Sequence, residues 1–202
     1  MDKVSYALGL SIASNFKATG IEKLDMDSFQ DAMKAAMDGK EPKMTSQEAS
    51  GVLNEFFGKL QEKLQKQQAE MAAQNEVLGK NYLRENAQKE GVTTTASGLQ
   101  YEILKKGDGA KPTLKDTVKC HYHGMLIDGT VFDSSVMRGE PAQFPLQGVI
   151  PGWTEVLQLM PIGSKWKVTI PSNLAYGERG ADRDIAPNST LIFEIELLDI
   201  LK

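Results

Sequence analysis

The chain has 202 residues, of which 41% are hydrophobic and 25% are charged, and its formal net charge is -4. These proportions are typical of globular proteins, and the length allows one large domain or two small ones. The mildly acidic balance gives no reason to expect nucleic acid as a partner, because phosphates attract basic surfaces. The single cysteine excludes an intrachain disulfide framework.

The N-terminal segment, MDKVSYALGLSIASNF, lacks the features of a secretion signal, because polar residues interrupt every apolar run. No part of the sequence is apolar over the length needed to cross a bilayer, so we expect no membrane partner. A cytoplasmic protein is therefore expected. A mature secreted chain that had been given a new initiating Met would look the same.

Two short helices are predicted at the start of the chain. An apolar stripe with a period of four residues marks the first helix, and it consists of Val4, Leu8, Ile12 and Phe16. This helix should end near Gly20. The second should begin with Asp25 or Asp27 as its N-cap and end at Gly39, with Pro42 just beyond.

A third, much longer helix is predicted from Ser46 to about Glu90. Thr45 and Glu48 mark its start, because a hydroxyl followed three residues later by a carboxylate forms a capping box. Such a helix would be roughly 65–70 Å long at ~1.5 Å per residue. Its polar middle is typical of a helix that bridges two bodies across solvent. Gly79 is a candidate bend.

These patterns divide the chain into three parts. Residues 1–60 are predicted to form an all-α dimerisation domain, because so few helices cannot bury a sufficient core alone. Residues 61–91 are predicted to be a long helical arm that continues from about residue 46. The alternative is a single domain in which the helices fold back on the C-terminal half, and the polar middle of the long helix argues against it.

After Gly91 the pattern changes, and residues 92–202 are predicted to form an α+β domain with an antiparallel sheet. Strands are predicted at residues 99–104, 117–126, 130–133, 165–170 and 190–201. The Asp128-Gly129 pair is a hairpin signal, and residues 92–100 are interpreted as a polar link. Residues 153–160 form one short amphipathic helix that would pack on the sheet.

Large apolar side chains recur through these strands, turns and the short helix, and they could line one aromatic cup. The candidates are Tyr122, Phe132, Asp133, Phe144, Val149, Ile150, Trp153, Tyr176 and Phe193. Alternating aromatic residues more often belong to an ordinary core, but Tyr122, Asp133 and Tyr176 are poor core residues. The cup would hold no evident nucleophile, base or metal cluster, which suits a reaction that breaks no covalent bond.

Four segments carry a resemblance to a known family: YHGMLIDGTVFDSS (122–135), GVIPGWTEVLQLMPIGSKWKVTIP (148–171), LAYGERG (174–180) and TLIFEIELLDI (190–200). Residues 98–202 resemble an FKBP-type peptidyl-prolyl cis-trans isomerase. The helical front half resembles the bacterial Mip-like and FkpA-like subgroup, nearest to its cytoplasmic member. The resemblance implies a five-stranded half-barrel wrapped on a short helix, a V-shaped homodimer through the N-terminal helices, and catalysis without a cofactor or metal.

The resemblance also assigns site residues. The proline pocket would be floored by Trp153 and lined by Tyr122, Phe144, Val149, Ile150 and Phe193, with Phe132 and Ile185 at the rim. The Tyr176 hydroxyl and the Ile150 N–H would hold substrate carbonyl groups. Asp133, tied to Tyr122 and Arg138, would lie beside the twisting amide and either polarise it or order Tyr122. Catalytic roles thus fall to Asp133, Tyr122, Phe132 and Tyr176.

Three features depart from the family pattern. Ala142 stands where an aromatic residue is common, which predicts a wider cup on that side. Charged residues in the loop 177–187 replace a more apolar flap, which bears on the affinity for macrolide inhibitors, the candidate small-molecule ligands. His123 replaces a hydroxyl residue.

The residues around Tyr122 have plainer interpretations. His121 and His123 share one strand face without a third ligand, so solvated histidines are favoured over a metal site. Cys120 is predicted to be a small core residue because no base accompanies it.

Two functions remain open at this point. The first is a dimeric prolyl isomerase that accelerates slow folding steps in client proteins. The second is a chaperone or proline-binding module that holds unfolded or proline-containing segments, with rotation as an incidental activity. The two can coexist, whereas a purely structural scaffold would leave the cup unexplained.

Overall fold

The computed structural model describes residues 1–181 and 184–201. The chain divides into two compact units, Met1–Gln67 and Gln68–Lys202, and the division falls inside the third helix. None of the described helices combines the length and apolar character of a membrane span. The dimerisation role of residues 1–60 and the arm role of residues 61–91 stay predictions.

The two short helices end within two residues of the predicted glycines, and the second begins after a predicted N-cap. Helix α1 spans Lys3–Ala18 and helix α2 spans Met26–Met37. Asp25 is the N-cap of α2, since its carboxylate accepts a hydrogen bond from the Ser28 N–H at 2.7 Å. Gly20 and Gly39 follow the helix ends with φ angles of 86° and 67°, a left-handed conformation that glycine adopts without steric cost.

The long helix α3 spans Ser46–Asn86, so it ends four residues before the predicted Glu90. The capping box is confirmed: Glu48 accepts a hydrogen bond from the Thr45 N–H at 2.7 Å, and Thr45 Oγ1 accepts one from the Glu48 N–H at 3.2 Å. Gly79 lies within the unbroken helix and allows a close approach, because a Cβ there would lie 2.3 Å from Thr190 Oγ1.

The second unit contains one antiparallel sheet, which confirms the α+β class but corrects the number of strands from five to seven in the described residues. The strands are β1 Val92–Thr94, β2 Gln100–Lys105, β3 Thr117–Leu126, β4 Val131–Ser134, β5 Ala142–Pro145, β6 Lys165–Ile170 and β7 Leu191–Leu201. Their order is β1-β2-β6-β7-β3-β4, and β5 pairs with the first half of β3.

The strands β1 and β5 were not predicted. They have only three and four residues, too few to display a period of two. Strand β1 is a polar edge strand, and β5 ends in proline, which cannot donate to a ladder. The five predicted strands agree with the observed ones to within one residue at each end.

Two helices interrupt the strands of this unit. Helix α4 (Ser135–Arg138) follows β4 directly, and helix α5 (Pro151–Leu159) precedes β6. Val156 and Leu157 of α5 are fully buried in the same core as Val118 and Leu197 of the sheet. This packing brings the N-terminal end of α5 to the face of the sheet that carries the site.

Candidate active site

One concave pocket of about 260 Å³ gathers side chains from four strands, helix α5 and two loops. Its described lining consists of Tyr122, Phe132, Asp133, Phe144, Gly148, Val149, Ile150, Trp153, Tyr176 and Phe193. We call this pocket the aromatic cup. Nine of these ten residues were named from the sequence, and Gly148 was missed although it opens the family-like segment 148–171.

Strand alternation explains which residues of β3 face the cup. Cys120, Tyr122 and Gly124 are buried, whereas His121 and His123 point to the opposite, half-buried face. Gly124 makes room for the aromatic wall, because a Cβ there would lie 2.7 Å from the Phe132 ring. The period of two in β3 therefore places Tyr122 in the cup and keeps the histidines out of it.

Trp153 forms the floor of the cup and is only 4% exposed. Its ring makes edge-to-face contacts with Tyr122, Phe144 and Phe193 at centroid distances of 5.3, 5.4 and 5.3 Å. Phe132 in turn packs edge-to-face on Phe193 at 5.5 Å. Such contacts add to the stabilisation from burial and fix ring orientations, so the apolar surface is preformed.

Tyr122, Asp133 and Arg138 form one connected network of hydrogen bonds at the edge of the cup. The Tyr122 hydroxyl donates a hydrogen bond to Asp133, and the Arg138 guanidinium donates to Asp133 and, at 2.8 Å, to the Tyr122 oxygen. Partial burial opposes ionisation of Asp133, but the hydrogen bonds from Tyr122 and Arg138 outweigh it and lower the pKa of Asp133 below its usual value. Asp133 is therefore a carboxylate at neutral pH.

Helix α4 fixes this network to β3. Ser135 is fully buried, and its Oγ accepts a hydrogen bond from the Tyr122 N–H at 2.8 Å. Ser134 Oγ accepts one from the Met137 N–H at 3.2 Å and caps the helix that carries Arg138. Sequence analysis missed both serines, although they follow Asp133 directly.

The two histidines are not simply solvated, which corrects the sequence-based interpretation. His121 Nδ1 lies 3.1 Å from Ser135 Oγ, and His123 Nδ1 lies 2.9 Å from Ser134 Oγ. Both rings are half-buried. They support the serines that hold α4, which the residue types alone did not reveal.

Two residues assigned to the pocket do not belong to its described lining. Ile185 is 7% exposed and lies in the core, where it forms a bridge with Ala181. Arg138 touches Tyr122 and Asp133 from outside the cup. Ala142, the predicted wider side, is half-buried on β5. Within the charged loop 177–187, positions 182 and 183 lie outside the described residues.

Cys120 is not a candidate nucleophile. The thiol is fully buried beneath the cup, and burial raises its pKa to about 12. A thiol with that pKa is protonated at neutral pH and is not a nucleophile. The prediction of a small core residue is confirmed. The cup thus offers an apolar surface, one carboxylate among its described lining residues, and hydroxyl groups at Tyr122 and Tyr176.

Comparison with known proteins agrees with this geometry. Residues 109–198 match the family described as FKBP-type peptidyl-prolyl cis-trans isomerase, and residues 1–103 match the domain amino terminal to it. The chain is 48% identical over 199 residues to the FKBP-type 22 kDa peptidyl-prolyl cis-trans isomerase of Escherichia coli K12, covering 98% of this chain and 95% of the relative.

Two further relatives cover nearly the whole chain. The outer membrane protein MIP of Legionella longbeachae is 44% identical over 201 residues, which cover 100% of this chain and 86% of that protein. The crystal structure of FkpA from Escherichia coli superimposes with a TM-score of 0.74 at 41% identity, over 98% of this chain and 95% of that one.

Proposed function

The chain belongs to the FKBP-type peptidyl-prolyl cis-trans isomerase family, and from that premise we propose that the aromatic cup is where the prolyl bond rotates. The observation that carries the proposal is the described lining, which is aromatic and aliphatic apart from one carboxylate and two tyrosine hydroxyls. A volume of about 260 Å³ is sufficient for one residue with its peptide bonds.

An apolar cup favours the transition state of this rotation. The barrier of about 18–20 kcal/mol arises because rotation breaks the amide resonance. The twisted amide has less charge separation than the planar one, so it loses less on leaving water. Tighter binding of the twisted form is sufficient for catalysis. A preference of about 7 kcal/mol would accelerate rotation roughly 10⁵-fold.

Each wall of the cup has a proposed role. Trp153 supports the face of the prolyl ring, while Phe144 and Phe193 enclose its edges; Val149 and Phe132 complete the enclosure. Tyr176 and Ile150 both belong to the lining. In this proposal the Tyr176 hydroxyl and the Ile150 N–H donate hydrogen bonds to the carbonyl groups that flank the proline. Holding both flanks leaves the prolyl bond as the free axis of rotation.

Asp133 acts in this proposal as a fixed negative charge beside the amide. Its carboxylate is held by Tyr122 and Arg138, so it cannot turn away from the cup. A fixed charge costs no reorganisation when the amide twists. The same contacts order the Tyr122 ring. Replacement of Asp133 by Asn separates the two contributions, since Asn preserves a hydrogen-bond acceptor for Tyr122 but lacks the charge.

Binding of a peptide tests the location of the site independently of catalysis. An Xaa-Pro tetrapeptide titrated into isotopically labelled protein should shift the amide resonances of Val149, Ile150 and Trp153 first. A Trp153→Ala variant should lose these shifts. Shifts confined to the first unit would contradict the location of the site.

We further propose that the first unit forms a V-shaped homodimer with chaperone activity. No residue of α1 or α2 is buried within one chain, and Val4 and Leu8 are 68% and 59% exposed. Phe56 and Phe57 of α3 are also 42% and 47% exposed. Apolar surface of this extent favours association. Sedimentation equilibrium should give twice the chain mass, and a monomer at micromolar concentration would contradict the dimer.

A cytoplasmic location is also proposed, as the resemblance to the cytoplasmic member of the subgroup implies. The relatives do not provide a common location, since one of them is named an outer membrane protein. Fractionation of the native cells should recover the protein with cytoplasmic markers. Recovery with periplasmic or membrane markers would contradict the proposal.

A further inference from the structure

One face of α3 lies against the segment that leads into β7. Asn75 Nδ2 donates a hydrogen bond to the Pro187 carbonyl oxygen at 2.9 Å, and Asn188 Nδ2 donates to the Ala72 carbonyl oxygen at 3.4 Å. One turn further, Gly79 is buried and has no room for a Cβ beside Thr190. These helix positions are spaced three and four residues apart, so they share one face.

Asn188 connects this helix face to the loop of the cup. Its backbone N–H donates a hydrogen bond to the Gly177 carbonyl oxygen at 2.8 Å, and Gly177 follows Tyr176 directly. Among the described residues it is the one non-glycine residue with positive φ, at 56°. A residue held in this conformation needs surrounding contacts that determine it. Here those contacts come from α3 on one side and from Gly177 on the other.

The end of α3 is itself fixed to the sheet. Asn86 Nδ2 donates to Gln100 Oε1 at 2.9 Å, and Gln100 Nε2 donates to the Leu83 carbonyl oxygen at 2.8 Å. Both side chains are buried, so their polar groups depend on each other. Residues 72–86 are therefore fixed to the sheet at one end and can hold the segment 187–190.

We propose that residues 72–86 of α3 brace the segment 187–190, and that Asn188 of this segment, through its hydrogen bond to Gly177, thereby positions Tyr176 at the aromatic cup. Asn188 and Gly79 are positioning residues, since they act on the substrate only through Tyr176. The inference rests on the proposed role of the cup. It assigns to the last turns of the long helix a part in catalysis, in addition to any part in joining the two units.

Two substitutions in the full-length protein distinguish the positioning of Tyr176 by α3 from a general effect on stability. Asn188→Gly removes the side-chain bond to Ala72 while keeping a residue that tolerates positive φ. Gly79→Ala inserts a Cβ against Thr190, and adding Thr190→Ala removes the hydroxyl that it would strike. Gly58→Ala on the same helix is the matched control, because a Cβ there meets nothing within 4 Å.

The value of kcat/KM towards an Xaa-Pro tetrapeptide should show whether α3 positions Tyr176. Asn188→Gly and Gly79→Ala should each lower kcat/KM about threefold to tenfold, the effect of one misplaced hydrogen bond. The Gly79→Ala/Thr190→Ala pair should recover most of the loss, and Gly58→Ala should leave kcat/KM unchanged. Urea midpoints measured in parallel establish that every variant is folded in the assay.

A double-mutant cycle with Tyr176→Phe provides the readout that a purely structural role would not change. In the Tyr176→Phe background, Asn188→Gly should have little further effect, because the hydroxyl that it positions is already gone. Additive losses would overturn the inference, and so would a Tyr176→Phe variant with wild-type kcat/KM. An Asp133→Ala variant assayed beside them tests the cup itself, so failure of the brace is distinguishable from failure of the proposed site.

Discussion

The hydroxyl of Tyr122 on strand β3 donates a hydrogen bond to the carboxylate of Asp133 on the neighbouring strand β4. The bond links the buried aromatic wall to the charged group at its edge. Arg138 completes the network from α4. An apolar surface and a fixed charge thus meet at one place.

Acidification should remove the contribution of Asp133 to the stability of the fold. Its pKa lies below the ordinary value of 3.8, so the stability that it contributes is present above pH 4 or so and is lost as pH falls through the folded-state pKa. The difference in free energy of unfolding between wild type and Asp133→Asn should therefore be constant from about pH 8 to 5. It should shrink below about pH 4. Urea titrations at several pH values measure it.

Asp108→Asn, measured in parallel, controls for the effect of an Asp-to-Asn change at an exposed position. If wild type is no more stable to unfolding than Asp133→Asn above about pH 5, Asp133 is not held as an ion.

Removal of the cup floor should be costly for the fold as well as for activity. Trp153→Ala should lower the free energy of unfolding by about 3–5 kcal/mol, because it leaves a cavity and removes the ring that contacts three other aromatic rings. Trp153→Phe should cost less, since the buried indole Nε1 has no hydrogen-bond partner in the described part of the chain. Denaturant unfolding followed by circular dichroism measures both.

Leu159→Ala on the same helix is the control, because Leu159 is 37% exposed and its loss should be smaller than that of Trp153. Equal destabilisation by Trp153→Ala and Trp153→Phe would contradict the importance of the ring contacts.

The Cys120 thiol should be inert in the folded protein. Burial raises its pKa to about 12, so the thiolate that reacts with disulfide reagents is scarce and inaccessible. A chromogenic thiol reagent at neutral pH should detect no thiol in the native protein and one per chain after denaturation. Rapid labelling of the native protein would show that the cup face of β3 opens.

Removal of the first unit should separate peptide chemistry from handling of protein clients. A fragment comprising residues 68–202 retains α3 positions 72–86 and should be a monomer with peptide activity within about twofold of the full chain. It should assist refolding of a proline-limited protein less well, because the second site of the dimer no longer raises the effective concentration. A fragment starting at residue 92 lacks the brace and should be less active on peptides. Light scattering that finds a dimeric 68–202 fragment would refute the dimerisation assignment.

Most of the cup could be predicted from the sequence because its residues follow strong local rules. Alternation along β3 places Tyr122 inside, and Pro151 with Gly152 marks the start of the helix that carries Trp153. Ile185 lies outside the described lining although it belongs to the same buried cluster as Trp153, and its backbone bridge to Ala181 follows no sequence period. The contacts of His121 and His123 with serines depend on the exact register of β3 against β4, which the residue types do not fix. The contacts of Asn188 with α3 join residues 116 positions apart, beyond the reach of local patterns.

The measurement that tests the central claim most directly is the rate of cis-to-trans rotation in a protease-coupled peptide assay. Wild type, Asp133→Ala and the exposed control Asp108→Ala should be compared at neutral pH. Wild type and the control should accelerate rotation strongly. Asp133→Ala should lose about tenfold or more in kcat/KM, because it removes a fixed charge from the site. Undiminished activity of a folded Asp133→Ala variant would contradict the proposal that rotation occurs in the cup beside this carboxylate.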